Sequence, residues 1–234
     1  MCSPASARWA DAGSRPSVDQ APSLPEAAEG GLREEMRIDS AWIQSGNGSN
    51  PSGRRPGIMD PMIDYENLWR HVTAARPHAD RYSVHGPDHW RRVERNGCVL
   101  TARTGANITV VRLFALFHDS RRENDGWDPG HGQRGADFAT SLRGQLFDLT
   151  DGDFDLLRTA CIGHTDEHRH EDPTIGTCWD SDRLDLGRVG MIPDPAYMST
   201  AFAAEIAAHE TILPWIHLAG EFLESPDTHH HFRA

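Results

Sequence analysis

The segment Val110-Val111-Arg112-Leu113-Phe114-Ala115-Leu116-Phe117 is apolar on nearly every side and runs directly into His118-Asp119. A helix with no polar face belongs inside a protein, so the rest of the chain must wrap it. The two ionisable groups at its end are then carried inward, where each needs a partner. The run is interrupted by an arginine and is too short to cross a bilayer, and the chain contains no longer one. No membrane partner is expected. The N-terminus shows no basic segment followed by an apolar one, which makes a cytoplasmic location the expectation.

Helical spacing governs the flanking sequence as well. Asp64 to Ala75 reads as a first helix, stopped near Pro77, and Pro87 to about Arg103 as a second with proline in its first turn. Ile108 to Asp119 is the central helix. Asp128 to Gln145, Asp153 to His164, Thr174 to Leu186 and Pro195 to Glu224 follow, the last kinked or split at Pro214. Period-two alternation is missing throughout, so the expected class is all-α. Residues 1–57 are rich in Ser, Pro, Gly and Ala and poor in large apolar side chains, which predicts a disordered tail ahead of a folded domain over 58–234. Leu32 to Ile43 could form a transient helix within that tail, and Met59 or Met62 could serve as the start. Cys2, Cys98, Cys161 and Cys178 form no CxxC pair, and the last three lie in apolar helical patterns, so they read as core thiols.

Each of five helices carries one imidazole or carboxylate on its apolar face. His89 aligns with Val93, Asn96 and Leu100; His118 with Val111 and Phe114; His131 with Gly135, Phe138 and Leu142. His164 aligns with Leu157, Ala160 and Cys161, and Asp182 with Ile175, Cys178 and Trp179, whereas Asp180 and Asp185 are expected to point away. A single inward histidine is ordinarily a hydrogen-bonded core residue. Five such groups satisfy one another most simply around a divalent cation. His209 shares a stripe with Phe202, Ile206 and Leu213 without a surrounding motif and reads as structural, and His229-His230-His231 reads as a surface tract.

His118-Asp119 at the end of a buried helix, with an upstream His89 and a downstream Asp182, resembles the HD superfamily of metal-dependent phosphohydrolases. The likeness runs from His85 to about Gly190, through His89-Trp90-Arg91-Arg92-Val93, Phe117-His118-Asp119 and Trp179-Asp180-Ser181-Asp182-Arg183-Leu184. It implies a helical bundle whose central helix carries the His-Asp pair, with metal held by His89, His118, Asp119 and Asp182. His131-Gly132 and Gly163-His164 fall where two-metal members carry extra histidines, so His131 and His164 join the expected ligands, with Asp119 bridging the metals. With a single metal, those two histidines would instead line the pocket and contact substrate.

An imidazole-rich donor set favours Mn, Fe, Co, Ni or Zn, one or two ions, over Ca or Mg. The resemblance implies phosphohydrolysis of a small phosphate ester, a nucleotide among the candidates, through a metal-activated water. Arg122 stands where HD-x-x-Lys members carry lysine beside phosphate; Arg121, Arg183 and Arg188 are further candidates for substrate contact. Asp119 and His85 are the candidate catalytic groups, His85 as a substrate contact or proton donor. All 23 basic residues are arginine, which excludes Schiff-base lysine chemistry, and the net charge of −12 disfavours a nucleic-acid polymer as partner. Two competing readings are a mixed-valent di-iron oxygenase of the same superfamily and a nucleotide-sensing binding module. No sequence pattern fixes an oligomeric state.

Overall fold

The computed structural model describes residues 63–77 and 82–220, and the expectations for 1–57, Met59, Met62, Cys2 and His229 to His231 lie outside them. The described residues form α1 (Tyr65–Ala74), α2 (Pro87–Thr104), α3 (Ile108–Phe117), α4 (His131–Leu142), α5 (Asp151–Gly163), α6 (Pro173–Arg183) and α7 (Ala201–Ala208). Short 3-10 turns cover Leu186–Val189, Pro195–Tyr197 and Leu213–Ala219. No strand occurs among the described residues, so the class is all-α. None of these helices is long and apolar enough to cross a membrane.

The central helix is α3, as its composition predicts. Asn107 caps it by accepting from the backbone N–H groups of Thr109 and Val110, which starts a helix in a β-branched stretch of modest propensity. Burial does the rest: Val110, Val111, Leu113, Phe114, Leu116 and Phe117 are wholly inaccessible, and burying each large side chain contributes about 1.5–3 kcal/mol. Around it pack α1, α2, α4, α5 and α6. A second apolar cluster joins Cys98, Val99 and Leu100 of α2 to Phe202, Ala203 and Ile206 of α7.

Several helix ends differ from the sequence expectation by a few residues, and α6 ends at Arg183 instead of Leu186; two departures have a visible cause. Helix α4 starts at His131, not Asp128, because Gly130 turns the chain at φ 84° and Asp128 is spent elsewhere. The Asp128 carboxylate accepts from Glu123 N–H, and both its oxygens accept from the one nitrogen Arg134 Nη2, at 2.7 and 2.8 Å. The expected helix from Pro195 to Glu224 is broken into a 3-10 turn, α7 and a second 3-10 turn that holds Pro214 near its start. Buried Asp180 accepts from Ser199 N–H, Thr200 N–H and the Thr200 hydroxyl, so the chain is pinned there and α7 begins afresh. Glu210, at φ 56°, then ends α7. His209 consequently sits exposed at the end of α7, edge-on to Trp215 with ring centroids 5.2 Å apart, and Leu213 is also exposed, so the expected stripe does not form.

Candidate metal centre

The ends of five helices meet at one point. His89 lies in the first turn of α2, His118 caps the C-terminus of α3 with Asp119 next to it, His131 opens α4, His164 caps α5, and Asp182 lies in the last turn of α6. Close helix approach makes this convergence possible. A Cβ on Gly132 would lie 2.2 Å from the Cys161 carbonyl oxygen, and one on Gly135 2.3 Å from that of Phe117. Only glycine at both positions lets α4 press against α5 and the end of α3. His131 and His164 thereby come within 3.0 Å, Nε2 to Nε2.

Every one of the four central imidazoles is held through Nδ1. His118 Nδ1–H donates to the carbonyls of Phe114 and Ala115, both at 3.1 Å; His131 donates to Asp128 O at 2.7 Å and His164 to Cys161 O at 2.7 Å. His89 Nδ1–H donates to the carboxylate of Asp185 at 2.7 Å. With the proton fixed on Nδ1, each Nε2 presents a lone pair to the centre. The His89 and His118 Nε2 atoms are 3.1 Å apart. Such spacing suits two ligands of one first-row metal, whose bonds to nitrogen are about 2.1 Å.

Asp119 stands between the two histidine pairs. Its Oδ2 faces His89 Nε2 at 3.6 Å and His118 Nε2 at 3.7 Å and meets His85 Nδ1 at 2.9 Å. Its Oδ1 faces His131 Nε2 at 3.2 Å and His164 Nε2 at 3.6 Å, and this buried oxygen has no hydrogen-bond donor. A buried carboxylate oxygen aimed at two nitrogen lone pairs is costly unless a cation lies among them. Asp182 Oδ1 completes the first group, 3.2 Å from His89 Nε2 and 3.9 Å from His118 Nε2. Three overlapping sets of donors result: His89, His118 and Asp182 on one side, Asp119, His131 and His164 on the other, and His85, His89 and Asp119 at the cleft. Residue type, spacing and the orphaned oxygen all fit a divalent metal on each side of Asp119.

The electrostatics divide the imidazoles: burial pulls His89 and His164 down, but hydrogen bonds to Asp182 and Asp185 at the first and to Asp119 at the second outweigh it and raise both. Burial draws His118 down to about 3, which keeps it neutral. Burial pushes the Asp119 carboxyl up, but the surrounding imidazoles, His118 first, outweigh it and hold the group well below the usual carboxylate range. By contrast, burial raises the Cys98 thiol to about 12 and lifts Cys161 and Cys178 as well, so these are inert core residues, as expected.

The arginines divide. Arg122 and Arg188 stand at the site: Arg122 Nη1 is 3.1 Å from His131 Nε2, and Arg188 Nη2 is 3.4 Å from His85 Nδ1. Arg121 and Arg183 are turned away, contrary to expectation. Arg121 donates to the Ala75 carbonyl and lies over the Phe138 ring at 4.9 Å. Arg183 is consumed by the carbonyls of Glu167, His168 and Tyr197, tying the loop after α5 to the chain before α7. Asp185 also departs from expectation, since it is buried and holds His89. Helical period does not report that role, because α6 ends at Arg183 and Asp185 lies in the turn beyond it. A small cleft beside Asp119 is lined by Ser83, His85, Arg122, Asn124 and Asp125.

No protein-family model matches the chain, and no solved structure matches it significantly. Over 93 residues it is 27% identical to the pyridinium-3,5-bisthiocarboxylic acid mononucleotide nickel insertion protein of Akkermansia muciniphila. The match takes in 39% of this chain and 22% of that protein, so the chain spans about a fifth of its relative's length.

Proposed function

We propose that this chain is a binuclear metal-dependent phosphohydrolase of the HD type, acting on a small phosphate ester. The observation that carries the reading is the Asp119 carboxylate, with one oxygen toward each histidine pair and Oδ1 buried without a donor. The name of the nickel insertion protein concerns a metal, in keeping with the donor set, though that protein is mostly outside the match. Bound first-row metals would supply a water of lowered pKa and a Lewis-acid contact for a phosphate oxygen.

The chain's own groups supply the rest. Asp119 Oδ2 orients His85 from 2.9 Å, so His85 is placed to hold or pass a proton at the mouth of the cleft. Arg122 lines that cleft and Arg188 stands 3.4 Å from His85, so each has a guanidinium to offer a phosphate. Arg122 Nη1 donates to the His131 Nε2 lone pair, which cannot serve a metal at the same time. With a metal held by His131, Nη1 would be released from that nitrogen and would have an anion in the cleft as its acceptor.

The test is a panel of nucleotides and sugar phosphates offered under strict anaerobiosis to manganese-loaded protein, with phosphate release as the readout. Release from at least one member is expected, because water activation involves no redox step. Oxygen-dependent consumption of an unphosphorylated substrate by the iron-loaded protein, with no phosphate released from any member, would establish the di-iron oxygenase in its place.

A further inference from the structure

Three of the four central histidines are oriented by neutral backbone carbonyls, and one, His89, by a carboxylate. Asp185 Oδ2 accepts from His89 Nδ1–H at 2.7 Å, and its other oxygen accepts from Arg92 Nε at 2.7 Å. Arg188 Nη1 stands 3.8 Å away on the same carboxylate. The side chain is only 7% exposed, so its charge acts on His89 with little screening by solvent. A carboxylate behind a ligating imidazole raises the basicity of the nitrogen facing the metal, which a carbonyl does more weakly.

The charge around the two donor sets differs in the same sense. On the His89 side stand Asp182 Oδ1 and Asp119 Oδ2, with Asp185 behind and the Arg92 and Arg188 guanidinium groups one contact further out, on the Asp185 carboxylate. On the His131 side stands Asp119 Oδ1 alone, with the neutral Thr165 hydroxyl 3.3 Å and the Arg122 guanidinium 3.1 Å from His131 Nε2. A fixed cation beside a cation position weakens binding there. We infer that the two metal positions are unequal and fill in order, the His89, His118 and Asp182 position first, with Asp185 as the positioning residue that sets its affinity. The inference rests on the two-metal reading above and deepens it: the second position, next to Arg122, becomes the exchangeable one, so that metal supply regulates the site through its occupancy.

Equilibrium titration of chelator-stripped full-length protein with cobalt(II), followed by visible absorption and by calorimetry, tests this directly. Wild type should take up two ions in two resolved steps, the first at least about tenfold tighter, the separation expected when one ligand set has a charged outer partner. Asp185→Asn keeps the size of the side chain and removes its charge. It should weaken the first step by about 10–100-fold, alter the spectrum of the first equivalent and leave the second step unchanged. Arg92→Gln, which leaves Asp185 in place, should move the first step in the same direction by less. Arg122→Gln should tighten the second step alone. Two steps of equal affinity, or an Asp185→Asn variant in which both steps weaken alike, would overturn the inference while the two-metal site stands. A single ion at saturating cobalt, or none, would remove the two-metal reading and this inference with it.

Discussion

Replacing Gly132 with alanine tests the close approach on which the second histidine pair depends. The added methyl would lie 2.2 Å from the Cys161 carbonyl oxygen, where ordinary contact begins at 3.4 Å, so helix α4 has to retreat by about an ångström. The obstacle is backbone and cannot rotate away. It is also the carbonyl that accepts from His164 Nδ1–H, so the same movement disturbs both members of the pair. Overpacking of this kind costs about 1–3 kcal/mol. In a domain of this size each kcal/mol lowers Tm by about 2–4 °C, which gives an expected drop of about 2–12 °C. Metal content should fall from two ions toward one, with the His89 position retained. Gly152→Ala is the control, since nothing lies within 4 Å of the added methyl near the start of α5, and Tm should hold or rise slightly. Calorimetric melting and elemental analysis of both variants decide the matter. A Gly132→Ala protein that melts like wild type and keeps both ions would refute the argument that glycine at this position builds the site.

Asp119→Ala should abolish binding of both metals, since its two oxygens serve both donor sets; one ion retained at wild-type affinity would contradict the bridging role. Chelation should leave most of the far-UV helical signal while lowering Tm, because the core around α3 includes none of the ligands; loss of the helical signal would count against this. Arg122→Ala should keep both metals and lose about 2 kcal/mol of transition-state stabilisation on phosphate esters, roughly 30-fold in kcat/KM, as a charge-assisted fork is removed. Asp180→Ala should destabilise the fold by about 2–3 kcal/mol in denaturant melts without changing metal stoichiometry, because it strips the partner from Ser199 N–H and Thr200 N–H and belongs to none of the donor sets.

Much of this arrangement was legible in the sequence because helical period reports which side of each helix faces inward. The residues placed beside His89, His118 and His164 by spacing alone are all buried next to them. What period does not report is what lies beyond the helix end. Asp185 falls just after α6, in a turn whose direction depends on how the chain continues, so its contact with His89 was missed. Arg121 and Arg183 carry the right charge for phosphate, but their long side chains reach carbonyls that only the tertiary structure brings near. Likewise the C-terminal helix expected from Pro195 to Glu224 is apolar enough to be continuous. Its interruption at Ser199 and Thr200 comes from Asp180, 19 and 20 residues earlier.

The way the histidines are held also bears on how such a site can drift. Three of them take their orientation from a main-chain oxygen three or four residues back in their own turn, at Phe114 and Ala115, at Asp128 and at Cys161. No side-chain replacement at those positions removes a carbonyl, so point mutation reaches these orientations only through packing that moves the backbone, as at Gly132. His89 alone leans on a side chain, and a single codon change at Asp185 reaches it. Divergence among descendants of this chain can therefore retune the His89 position through that one contact, while the other three orientations are inherited with the backbone.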